Sequence, residues 1–129
     1  MTPNRSVQSY KQTQTNSSSP LELVVLLYDG AIKFMGEARS AAERRDIRAR
    51  RQSLDRALAI VAELQGTLNL DGGGDLAKEL DRLYNYITDC LMRGAMNNDA
   101  RAIGEAQRLF ENLREGWRGI AAAQAGSAA

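Results

Sequence analysis

The chain contains no histidine and a single cysteine, Cys90. These two facts remove most side-chain chemistry before any fold is considered. Without imidazole there is no Ser-His or Cys-His nucleophile, no phosphotransfer bundle with a histidine acceptor and no Glu-x-x-His metal pair. One cysteine makes neither an internal disulfide nor a multi-cysteine zinc site, and it fits a reducing compartment. Cys90 falls on the apolar face of a helical pattern, where a thiol behaves as a small hydrophobe. Gly72-Gly73-Gly74 has the suppleness of a phosphate cradle, but no Lys-Ser or Lys-Thr pair follows it and no strand precedes it. It reads as a helix–helix connection. Carboxylates are plentiful, yet they sit at caps or in exposed helical pairs such as Glu79 with Arg82 and Glu111 with Arg114. No catalytic, cofactor-binding or metal-ligating residue is expected, and the chain is read as a non-enzyme that binds another polypeptide.

Charge and apolar surface are what remain. Arg39, Arg44, Arg45, Arg48, Arg50, Arg51 and Arg56 crowd one stretch, diluted by Glu43, Asp46 and Asp55. A solvated end of a bundle is the plain reading. The alternative is a regulatory or nucleic-acid-binding bundle that uses residues 39–56. No aromatic side chain interleaves with these arginines, and the formal net charge is only +1, so a nucleic-acid partner is not expected.

The elements that position these residues are four helices. Ser19 is an N-cap, Pro20 takes the first helical position and Glu22 follows three residues after the cap, which marks a helix start. That helix is expected to run to about Ala42. Asp46 caps a second helix to about Leu68, carrying Ile47, Leu54, Leu58, Val61, Leu64 and Leu68, with Ala57 and Ile60 widening the stripe. Asp75 caps a third, with Leu76, Leu80, Leu83, Ile87, Cys90 and Leu91 facing the core. Asn97-Asn98-Asp99 turns the chain into a fourth, with Ile103, Ala106, Leu109, Phe110, Leu113, Trp117 and Ile120 facing inward. Short connections make neighbours antiparallel. The expected fold is all-α: an up-down-up-down four-helix bundle over residues 20–122, preceded by a mobile polar arm over residues 1–19 and followed by a disordered tail over residues 123–129.

The first helix is unusual. Leu21, Val24, Val25, Tyr28, Ile32 and Met35 form one apolar stripe, while Leu23, Leu26, Leu27 and Phe34 form a second on the opposite side. Only Glu22, Asp29 and Lys33 are polar between them. A bundle helix needs one apolar face, so the second asks for a cover, supplied by this chain or by a partner. The first twenty residues hold no apolar signal core, and the longest apolar run, residues 23–28, falls far short of a membrane span. A cytoplasmic protein without stable membrane insertion is expected.

Several segments in order resemble the flagellin export chaperone family, FliS, of flagellar type III secretion. They are Tyr10-Lys11-Gln12 with Gln14, Ser19-Pro20-Leu21-Glu22-Leu23, and above all Leu27-Tyr28-Asp29-Gly30-Ala31-Ile32-Lys33-Phe34. Ile60 to Leu64, Thr67-Leu68-Asn69, Leu83-Tyr84-Asn85-Tyr86-Ile87 and Trp117 complete the set. The resemblance implies an antiparallel four-helix bundle that binds the C-terminal segment of new flagellin on apolar grooves. It implies delivery to flagellar export gate components, and an arm that covers part of the apolar surface. It leaves open a homodimer in the free state. The expected partner-binding residues are Tyr10, Gln14, Leu23, Leu26, Leu27 and Phe34. Thr15 departs from the aliphatic residue common in the family's arm, and Ser17 to Ser19 replace a more varied stretch.

Overall fold

Ser19 ends in an extended conformation, and its hydroxyl accepts the Glu22 N–H at 3.0 Å. Helix α1, Pro20–Glu43, starts from that cap with proline where no N–H is needed. The computed structural model describes residues 19–128; the expected arm, with Tyr10 and Gln14, lies outside the described residues. Arg45 adopts a left-handed φ of 59° in the turn after α1. Asp46 then caps α2, Ile47–Gly66, its carboxylate accepting the Ala49 N–H at 3.1 Å.

Helix α2 ends two residues before the expected Leu68. The N–H groups of Thr67 and Leu68 turn back to the Leu64 and Gln65 carbonyls, which closes the helix early. Helix α3, Gly74–Asn97, is capped at Gly73, so Asp75 sits inside the first turn and is not the cap. Gly73 donates its N–H to the Asn69 carbonyl at 2.7 Å. A Cβ at Gly73 would collide with that carbonyl oxygen, so glycine is what lets the chain turn this tightly.

Asn98 closes α3 in a left-handed conformation with φ of 54°, and Asp99 accepts the Ala102 N–H at 3.1 Å to start α4, Ala100–Ala128. The expected disordered tail from residue 123 is instead the last two turns of α4. Ala121, Ala122, Ala123 and Ala125 explain this, because alanine is the best helix former and no proline intervenes.

Each helix packs on its neighbour in sequence, and α4 packs back on α1, giving the expected all-α four-helix bundle. Pairs across α1 and α4 fix the direction. Asp29 meets Arg114, Gly36 approaches Gln107, and Arg39 lies over Gly104. One helix rises in number as the other falls by equal steps, so the pair is antiparallel. On that register the last turn of α4 runs past the start of α1.

The core holds Tyr28, Met35, Leu54, Ile60, Val61, Tyr84, Ile87, Leu91, Ile103 and Phe110. Tyr28 stacks on Phe110 with ring centroids 4.4 Å apart, and its hydroxyl meets that of Tyr84 at 2.6 Å across the bundle diagonal. Ile47, Leu76 and Ile120, expected to face the core, are exposed. Ile47 and Leu76 stand near the starts of their helices, where neighbouring helices no longer cover them, whereas Ile120, two turns before the end of α4, faces solvent.

The two stripes of α1 prove to be one broad buried arc. Ala31, Ala38 and Ala42 fill the space between them, and Gly30 and Ala41 continue the arc past Phe34. These small residues let α2 and α4 approach α1 closely from two sides, and the buried arc spans about 200° at roughly 100° per residue. Leu27, 3% exposed, and Phe34, 8% exposed, lie within it. The Arg56 guanidinium of α2 sits 5.6 Å from the Phe34 ring centre. For these two residues, then, the expectation of an uncovered face does not hold, and over Phe34 the cover comes from α2.

Candidate functional site

At the margins of that arc, the first turns of α1 stay partly open. Leu21, Leu23, Val24, Val25 and Leu26 are only half-buried. Leu23 and Val24 lean on the core, whereas Val25 and Leu26 line an open groove of about 320 Å³ with Glu22, Arg118 and Ala121. The groove therefore lies between the start of α1 and the end of α4. Its floor is apolar, and its polar side chains are one acid and one base.

Arg118 is held in place. It donates to Asp29 at 3.4 Å and to Glu115 at 3.3 Å. Arg114 also reaches Asp29 at 3.2 Å, so one α1 carboxylate gathers two guanidinium groups of α4 beside the groove. Beneath it, Trp117 is partly buried against the core, with its ring 6.4 Å from Tyr28. Burial pushes the Tyr28 phenol above its ordinary pKa, with the Tyr84 hydroxyl bond opposing in part. Burial raises Tyr84 too, reinforced by Tyr28. Both rings are thus neutral packing groups with a satisfied polar tip.

Of the residues expected to meet a partner, the groove takes Leu26, with Leu23 behind it. Leu27 and Phe34 lie in the core, and Tyr10 and Gln14 fall outside the described residues. Sequence reasoning missed Val25, which it assigned to the core stripe, and missed Arg118 and Ala121 altogether. The alanine run after Gly119 was the available signal, since it extends α4 far enough to form the second wall.

Among the described residues no cluster of His, Cys, Asp or Glu could hold a metal ion, and no helix is long and apolar enough to cross a membrane. The arginines of residues 39–56 do not form one free patch. Arg44 pairs with Asp46 and Ser40, Arg50 points into the α2–α3 junction, Arg56 lies over Phe34 and Arg39 lies over Gly104.

Compared with known proteins, residues 3–124 match the family described as flagellar protein FliS. The chain belongs to the FliS family. The flagellar secretion chaperone FliS of Salmonella typhimurium is 33% identical over 119 residues, covering 88% of each chain. The FliSB chaperone of Pseudomonas aeruginosa is 31% identical over 120 residues, covering 90% of this chain and 95% of its own. A crystal structure of a bacterial flagellar chaperone shares the fold, with a TM-score of 0.73 at 22% identity over 90% of this chain and 94% of that one.

As a FliS member the chain is a flagellar export chaperone and not an enzyme. The Leu-Tyr-Asp-Gly segment that carried the resemblance has a physical role here. Leu27 and Tyr28 fill the core, Asp29 clasps Arg114 and Arg118, and Gly30 is buried among the small residues of α1. In this FliS chain the motif joins α1 to α4 directly beside the groove.

Proposed function

We propose that the chain binds the C-terminal segment of newly made flagellin in the cytoplasm, keeps it from polymerising prematurely, and helps deliver it to the flagellar export gate. The observation that carries this reading is the apolar groove of Val25, Leu26 and Ala121, open to solvent in a member of a secretion-chaperone family. An amphipathic segment of flagellin would lay its apolar side on this floor. Glu22 and Arg118 at the rim would select its flanking polar residues. Leu23, partly covered, would extend the contact, and Tyr10 and Gln14 would take part from the arm.

Leu26→Asp tests the placement. Leu26 stands beside the polar stripe of Glu22, Asp29 and Lys33, so the charge remains solvated and the bundle folds. Losing one buried leucine contact removes about 1.5–3 kcal/mol, or about ten- to a hundredfold in affinity for the flagellin C-terminal segment. Calorimetric titration and thermal melting on the same preparation read both quantities. Parental affinity in a folded variant would refute the groove as the site of binding.

A further inference from the structure

The groove is walled by two facing stripes, one on each helix. Glu22, Val25 and Leu26 on α1 lead to Asp29 one turn later, and Ala121 on α4 is preceded at helical spacing by Arg118 and Arg114. The antiparallel register brings Asp29 to Arg114 at 3.2 Å and to Arg118 at 3.4 Å, so these ion pairs stand at one end of the groove. Glu115 also meets Arg118, at 3.3 Å, but it belongs to α4 and ties nothing across. The side chains of Asp29, Arg114 and Arg118 are 37%, 21% and 47% exposed, which leaves the clasp partly sheltered from screening. Past the clasp the α4 wall has little to hold it. From Gly119 to Gly126 the only polar side chain is that of Gln124. Gly116 and Gly119 flank Trp117 and Arg118, and a Cβ at either glycine would meet nothing within 4 Å. No close approach and no left-handed backbone calls for glycine at these two positions. Each weakens the helix about fivefold relative to alanine.

We infer that Asp29 is a positioning residue for the groove: through Arg114 and Arg118 it fixes how the last turns of α4 stand against α1. The inference rests on the groove being the place where the flagellin segment binds. Ala121 lies one turn beyond Arg118, so the guanidinium that Asp29 holds is the fixed point from which the wall extends. The two glycines leave that wall ready to bend or unwind, and the clasp opposes this. A wall already in place spares the cargo the cost of ordering it. Charge selection by Arg118 and placement of the wall by Asp29 are separate contributions, and stiffening α4 restores only the second.

Trp117, the single tryptophan, lies between the two clasped arginines in sequence and packs against the core, so it reports on this segment in the free chain. Asp29→Asn keeps the side chain's size and removes its charge. It should speed amide exchange over residues 119–126 about fivefold and shift the Trp117 emission to the red, while residues 103–110 keep their protection. Affinity for a synthetic flagellin C-terminal segment, read by calorimetric titration, should fall about fivefold. Arg114→Gln with Arg118→Gln should reproduce the faster exchange and leave Asp29→Asn nothing further to remove. Gly116→Ala with Gly119→Ala, added to Asp29→Asn, should restore slow exchange and recover most of the affinity, although no ion pair returns. Unchanged exchange over residues 119–126 in Asp29→Asn would overturn the inference, as would an affinity loss that the two alanines do not repair. Leu26→Asp, titrated with the same peptide, keeps the two proposals apart. If both single variants bind at parental affinity while exchange quickens in Asp29→Asn, the cargo reading fails and the positioning stands. If Leu26→Asp weakens binding and Asp29→Asn does not, the positioning fails and the cargo reading stands.

Discussion

Tyr28 and Tyr84 show what one buried polar contact does at the scale of a residue. Each phenol is out of water, and each hydroxyl is the other's partner at 2.6 Å. Tyr28→Phe should cost about 1–3 kcal/mol, because the Tyr84 hydroxyl is left buried and unpaired. Adding Tyr84→Phe should recover most of that loss, since no polar atom is then stranded. Urea denaturation of the two single variants and the double variant checks the cycle; additive losses would show that ring packing alone matters. The same burial sets a pH response. Both phenols titrate above their ordinary value of 10.0 in the folded chain. Above about pH 10 the unfolded chain therefore releases protons that the folded chain keeps. Their contribution is complete below that pH and is lost as pH rises towards the raised folded values, with tyrosinate absorbance appearing together with unfolding. Tyr28 was legible as core from its spacing. Tyr84 was not, because Leu83 and Ile87 already satisfied the apolar period of α3, and only the partner ring across the bundle explains why a tyrosine should point inward.

Helix limits depend on local chemistry, and those that rest on side-chain caps were readable. Ser19 and Asp46 cap their helices as their sequence context indicates. The start of α3 was misplaced because a backbone turn at Asn69 and Gly73 governs it, not a side chain. The end of α4 was missed because small residues look alike in a tail and in a helix. Packing between helices brings a further constraint at Gly94, where a Cβ would collide with the Ile103 side chain. Gly94→Ala should lower stability by about 1–3 kcal/mol through overpacking, even though alanine favours helix by about 1 kcal/mol. Gly116→Ala meets nothing within 4 Å, so it should stabilise by about 0.5–1 kcal/mol. Opposite signs in paired thermal melts would confirm that α3 and α4 owe their close approach to the glycine. Two losses, or two gains, would discard that account.

The whole molecule sets where its openings fall. The double apolar character of α1 was visible in sequence, but its division between neighbours was not, since only the assembled bundle shows that α2 covers Phe34 while Val25 and Leu26 stay open. If the arm covers the groove, deleting residues 1–16 should leave binding of a short flagellin segment unchanged or tighter. It should also raise the fluorescence of a dye that reports exposed apolar surface. Lost binding would instead make the arm a clamp, with Tyr10 and Gln14 as contacts. An even number of antiparallel helices also brings the chain back to the end from which it set out. The start of α1 and the finish of α4 share the groove's end, while among the described residues the opposite end has the two tight turns at residues 44–46 and 98–99. A protein tethered to a sensor surface through the end of α4 would stand with its groove against the support and its α1–α2 turn outward. Cargo titrations in that geometry would understate affinity, whereas a label placed near Arg45 would hold the molecule the other way up and leave the groove free.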